Sequence, residues 1–225
     1  MTPVSTTAFA SPLDPSDPDP ISGTPPAKRT QRRAGRLAMS GLALLLAGVG
    51  FLVLTYSPAT DVYQARLQTR LAGQLTSPHL RQAYARHHVD EGDSLTRIRI
   101  PAIGVNVVVV EGTSASALRA GAGHYPGTPL PGEDGNVAIA GHRTTYGKPF
   151  ADLDRLVPGD DILFDTPLGP YHYRVTRQPF VVDKADWTPI VTTPGKTLTL
   201  STCHPKRSDR QRLIVQGELV SHGDR

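Results

Sequence analysis

Cys203 is the only cysteine in 225 residues. No disulfide can form within the chain and no cysteine-based zinc cluster can assemble, which excludes a small secreted fold held by bridges. Aromatic residues are also scarce, at 6% with one tryptophan, and nowhere do they alternate with Lys and Arg. Nucleic-acid binding therefore lacks its usual footprint. Apolar residues make up 38% of the chain, enough for one core but too few for a multispan membrane protein. One ordinary domain with appendages remains.

The formal charge of +4 is unevenly spread. Residues 1–36 carry five basic and three acidic groups, 57–94 four and four, and 97–225 fifteen and thirteen. The globular part is thus nearly neutral. Residues 1–36, rich in Pro, Ser, Thr and Asp without apolar periodicity, read as a disordered tail. The tail ends in Lys28, Arg29, Arg32, Arg33 and Arg36, directly before the uncharged stretch LAMSGLALLLAGVGFLVLTY at 37–56. About 20 residues at 1.5 Å rise cross about 30 Å of hydrocarbon. A transmembrane helix retained in the lipid is expected rather than a cleaved signal peptide, whose apolar region is shorter and lacks so long a leader. The basic cluster predicts a cytoplasmic N-terminus, with everything from residue 57 outside the cell membrane.

Residues 57–94 read as an extracellular stalk. Val62, Ala65, Leu67, Leu71 and Leu75 lie at mostly helical spacing, Ser77-Pro78 breaks the run, and Leu80, Ala83 and Tyr84 follow. His79, His87 and His88 have no carboxylate or cysteine at matching spacing and are expected to be solvated. From 95 to 225 the pattern becomes β. Segments at 97–101, 106–111, 136–140, 161–165, 171–182, 196–202 and 212–219 are separated by turn chemistry such as Pro158-Gly159-Asp160. Short strands at this spacing, with few helical turns between them, predict a closed or nearly closed all-β barrel.

Cys203 ends an apolar strand, Thr199-Leu200-Ser201-Thr202-Cys203, and Pro205 halts further pairing. A thiol nucleophile needs a proton acceptor and a charge-stabilising donor. His204 is adjacent, but neighbours on an extended chain point to opposite faces. His142 fits better, because it leaves another apolar strand, Gly135 to Ala140, through Gly141. Arg212 opens the strand after the Cys203 loop and supplies fixed donors; Arg210, two residues away, is its rival if the register slips. His124 lies in a Gly- and Pro-rich loop without a rigid strand behind it.

At these residues the chain resembles the sortases, the membrane-anchored cysteine transpeptidases of Gram-positive surfaces. Their Thr-Leu-x-Thr-Cys signature matches Thr199 to Cys203, their Ala-Gly-His matches Ala140 to His142, and their Arg at the head of the next strand matches Arg212. The short Cys-to-Arg loop and the block His142-Arg143-Thr144-Thr145-Tyr146-Gly147 are most similar to the class E group of actinobacteria. The resemblance implies an eight-stranded sortase-like β-barrel with short helices. It implies Cys203 attack on the threonine carbonyl of a C-terminal sorting motif, of the Leu-Ala-x-Thr-Gly kind, in a secreted protein. An amino group of cell-wall peptide or of another protein then resolves the thioacyl enzyme. His142 serves as acid and base, and Arg212 holds substrate and oxyanion. Thr202 adds a hydroxyl donor at the oxyanion, and Tyr125 and Tyr146 line the motif groove. No cofactor or metal is implied. A hydrolytic cysteine peptidase and a non-catalytic peptide-binding membrane barrel remain alternatives; the second requires a buried or dispensable Cys203.

Overall fold

The computed structural model describes residues 27–222, with backbone alone at 27–38, 54–55, 57–58 and 222. The expected tail over 1–26 lies outside the described residues. The chain divides into two units, 1–50 and 51–225. In the first, the described residues all belong to helix α1 (Ala27–Gln74), where Met39, Leu42, Leu44, Leu45, Leu46 and Val49 are exposed. Among the described residues no helix is long and apolar enough to cross a membrane. Four residues of the expected 37–56 span have no described side chain.

The second unit begins within α1, which runs on unbroken to Gln74, so the first part of the expected stalk is helical. Ser77 then caps α2 (Pro78–Ala85): its hydroxyl accepts from the Leu80 amide at 3.1 Å, and Pro78 opens the helix where no amide partner is needed. Leu80 and Tyr84 point inward.

The strands follow in order: β1 (Ser94–Ile100), β2 (Val105–Glu111), β3 (Ala122–His124), β4 (Gly135–Ala140), β5 (Asp161–Thr166), β6 (Gly169–Val175), β7 (Phe180–Asp183), β8 (Lys196–His204) and β9 (Gln211–His222). Helix α3 (Ala115–Ala120) lies between β2 and β3. Neighbours run β6-β5-β1-β2-β3-β4-β8-β9, and pairing of β9 with β6 closes the barrel. β7 pairs with the first half of β9, and β6 with its second half. The segment expected as one strand over 171–182 is therefore two, sharing one side of β9, and the closed ring has eight strands. Three-residue β3 is too short to show any period.

Leu198 and Leu200 of β8, Leu213 and Val215 of β9, and Val137 and Ile139 of β4 enter the main core with Phe150, Phe164 and Tyr173. β2 reads Val-Asn-Val-Val-Val-Val because both of its faces are covered. Val107 and Val109 face the barrel interior, while Val108 and Val110 pack with Leu71 of α1 and Ala117 of α3. Burying a leucine such as Leu71 contributes roughly 1.5–3 kcal/mol, which fixes the outer half of α1 to the barrel wall.

Candidate active site

Cys203 and Arg212 are direct partners in the antiparallel β8–β9 ladder. Opposed residues share a face of the sheet, and Arg212 Nη1 lies 3.7 Å from Cys203 Sγ. Nη1 also donates to the carbonyls of Asp209 and Gln211 at 3.0 and 3.1 Å, so the connecting loop holds the guanidinium in place. Gln211, not Arg210, faces His204, which fixes the register at Arg212. The thiol is partly exposed.

β4 delivers His142 to the same end of the barrel. It pairs in parallel with β8, Ala140 beside Ser201, and the Gly141 amide continues the ladder to the Ser201 carbonyl at 3.0 Å. The next residues in that register are His142 and Cys203. Gly141 is required by packing: a Cβ there would lie 2.6 Å from the fully buried Phe150 ring. Burial, and secondarily the positive charge of Arg119 on α3, hold the His142 pKa below its ordinary value.

Tyr146 stacks on His142 with ring centroids 5.3 Å apart and planes tilted by 36°. Arg119 also meets the Tyr146 ring, its guanidinium carbon 6.0 Å from the centroid. The residues that carry it are strained: Tyr146, Gly147 and Lys148 have φ of 50°, 71° and 47°. For a non-glycine residue the left-handed region costs on the order of 1 kcal/mol or more and persists only where surrounding contacts enforce it. Tyr146, expected in the motif groove, is thus a neighbour of His142 in this arrangement.

Thr202 also differs from expectation. It shares strand parity with Leu198 and Leu200 and points inward, where its hydroxyl donates to the Gly141 carbonyl at 2.7 Å. That proton is committed to the histidine strand rather than to an oxyanion. Tyr125 meets Trp187 edge-on at 6.4 Å beside a small cleft of about 90 Å³ that Arg212, Ser201 and Ile214 also line. His124, expected in a loop without a strand behind it, ends β3 and is buried between Glu111 (2.8 Å) and Thr128 (2.9 Å).

Sequence reasoning missed Arg143. Its side chain is only 3% exposed, ion-paired with Asp154 at 3.0 Å, and its Nη1 donates to His204 Nδ1 at 2.9 Å and to the Cys203 carbonyl at 3.4 Å. A guanidinium only donates, so His204 Nδ1 accepts and its proton sits on Nε2. Trp187, the sole tryptophan, is 60% exposed, and a lone large aromatic in a polar loop is the sequence signal that marks it.

A partly exposed thiol, a neutral imidazole on the adjoining strand end and a guanidinium across the ladder form an arrangement suited to acyl transfer. Comparison with known proteins agrees. A family model described as the sortase domain matches residues 98–220. Sortase SrtE1 of Streptomyces coelicolor is 32% identical over 151 residues, covering 60% of this chain and 43% of that protein. The chain thus spans less than half the length of that relative. Among solved structures, a Clostridium perfringens sortase D5 transpeptidase superposes with a TM-score of 0.61 at 27% identity, covering 72% of this chain and 99% of that one. Sortase E1 from Streptomyces coelicolor, crystallised with a tripeptide in its active site, gives 0.55 at 30% identity, covering 58% and 90%.

Proposed function

The chain belongs to the sortase family, and from that premise we propose a membrane-anchored cysteine transpeptidase that cleaves a Leu-Ala-x-Thr-Gly-type sorting motif between Thr and Gly. The acyl-threonine then passes to an amino group of cell-wall peptide or of another protein. The observation that carries this reading is the pairing of Arg212 with Cys203 beside the strand end that bears His142.

In this mechanism the Cys203 proton moves to neutral His142 and the thiolate adds to the threonine carbonyl. Arg212 stabilises the negative charge that develops on the oxygen. Collapse breaks the Thr–Gly bond, and the His142 imidazolium gives its proton to the departing glycine nitrogen. An incoming amine loses a proton to His142 as it attacks the thioester, and the Cys203 sulfur leaves with that proton restored. A tripeptide in the active site of sortase E1 is consistent with a peptide groove here, for which Tyr125 and Trp187 supply walls.

Residues 37–56 serve as the anchor, with residues 1–36 cytoplasmic, 57–94 as the connecting segment and the barrel from residue 95 outside the cell. Support comes from the uncharged stretch, the basic cluster before it and its exposed apolar side chains. The partly exposed thiol disfavours the non-catalytic alternative.

The test uses the full chain in detergent micelles with a Leu-Ala-x-Thr-Gly peptide. A thioacyl adduct on Cys203 is expected by mass spectrometry, absent in Cys203→Ala. Added triglycine should divert product from hydrolysis to the new amide. An adduct that survives in Cys203→Ala would refute the mechanism, and free acid alone, whatever the amine, would make the protein a peptidase.

A further inference from the structure

We infer that Asp61, on α1, is a positioning residue for His142: it grips the strained turn that carries Tyr146 and so fixes the ring stacked on the histidine. The inference rests on the transpeptidase reading for its consequence in turnover, and on geometry alone for the contact.

Asp61 holds the turn with both carboxylate oxygens. Oδ1 accepts the Gly147 amide at 2.9 Å and Oδ2 pairs with Lys148 Nζ at 3.0 Å. Thr60 adds a longer contact to the Tyr146 amide at 3.5 Å. One turn further along α1, Gln64 packs so closely that a Cβ on Gly147 would stand 2.5 Å from its Oε1. Another turn on, Gln68 clamps the helix to the barrel: its amide donates to the carbonyls of Val108 and Ala120 at 3.1 and 2.8 Å, and its oxygen accepts the Val108 amide at 2.6 Å. Residues 60, 61, 64 and 68 fall on one helix face.

Three successive positive φ values at 146–148 require enforcement from outside the turn. Asp61 of α1 grips it at Gly147 and Lys148, beside the turn's own bond from the Lys148 amide to the Thr145 carbonyl at 3.1 Å. Among the described residues, Arg119 from α3 and Tyr146 from its own loop bear on His142, with Cys203 and Arg212 on the adjoining strand ends. Asp61 touches none of the reacting atoms. Release of the turn lifts Tyr146 from His142, admits water to the imidazole and loosens its aim toward Cys203. Misplacement of a reacting group by about 1 Å costs up to about 100-fold in rate.

The experiment compares the full chain with Asp61→Ala and Asp61→Asn in detergent, following His142 by NMR with labelled histidine, assigned through His142→Gln. Turnover of the sorting peptide and thermal midpoints accompany it. Asp61→Ala is expected to raise the His142 titration midpoint toward that of free histidine and to lower kcat about 10- to 100-fold, with KM little changed. Asp61→Asn keeps an acceptor for the Gly147 amide and should restore most of both. Should Asp61→Ala not fold, Gly147→Ala probes the same contact from the turn and should move the titration the same way. A His142 titration in these variants that superimposes on the wild type overturns the inference. A shifted titration in a protein that never forms the thioacyl adduct supports the contact and refutes the transpeptidase reading instead.

Discussion

Arg212 stands opposite Cys203 in the β8–β9 ladder, and one guanidinium nitrogen serves the thiol, at 3.7 Å, and the carbonyls of Asp209 in the loop and Gln211 at the head of β9, at 3.0 and 3.1 Å. The loop that joins the two strands thereby sets where the positive charge sits. A donor fixed before reaction costs no reorganisation when the oxyanion forms.

Arg212→Ala should therefore lower kcat/KM for a sorting peptide by about 100-fold or more, the scale of removing one oxyanion donor. Arg212→Lys keeps a charge, but its ammonium sits on a flexible stem and is not pre-organised at the Nη1 position as the planar guanidinium is. It is expected to recover only a small part of the loss. Equal activity in wild type and Arg212→Ala, measured by peptide cleavage, would remove Arg212 from the mechanism.

How much of this was legible in the sequence follows from the range of the interactions. Cys203 and Arg212 are joined by a short loop, so strand pairing brings them together without any distant element. The alternation of β5, with Ile162 and Phe164 inward, is likewise local. The inward direction of Thr202 is legible in its parity with Leu198 and Leu200, whereas the resemblance points its hydroxyl to the oxyanion. Tyr146 was not readable: whether it faces the groove or His142 depends on the backbone at 146–148, which α1 enforces from 86 residues away. Burial of Arg143 depends on Asp154 arriving through a 3-10 turn, for which the sequence carries no period.

His142 also makes stability depend on pH. Burial lowers its folded pKa, so below the unfolded value of about 6.5 the unfolded chain binds more protons than the folded one. Stability then rises with pH through this window: the contribution is fully present above about pH 6.5 and is lost as pH falls through the folded pKa. Urea unfolding of wild type and His142→Gln between pH 5 and 8 should show a steeper decline toward acid in the wild type. Parallel profiles would contradict this.

Thr202→Val tests the link between the two strands that bear the reacting groups. The substitution keeps shape and removes the hydroxyl that donates to the carbonyl of buried Gly141. A buried acceptor left unmatched costs about 1–3 kcal/mol. Chemical denaturation should show a loss of that size with an unchanged m-value, and kcat should fall because Gly141 carries His142. A variant as stable as the wild type would show that the hydroxyl is not needed to hold the strand end.

The Arg143–Asp154 pair predicts an asymmetry. Arg143 is 3% exposed and Asp154 47% exposed. Asp154→Ala strands a buried guanidinium among neutral acceptors, Ala151 and Cys203 carbonyls and His204 Nδ1. Arg143→Met instead leaves behind a carboxylate that water can reach, and it fills the space with an apolar chain. Breaking a buried pair is costly chiefly through the unpaired buried charge. Asp154→Ala should therefore destabilise, by less than the about 3–5 kcal/mol of a fully buried pair because water reaches Asp154, and Arg143→Met by less still. Activity should order the other way, because Arg143→Met removes the donors on the Cys203 carbonyl and His204 and lets the end of β8 move. Denaturation and peptide cleavage on the same two variants measure both orders, and a shared order in the two assays would show that Arg143 acts only through stability.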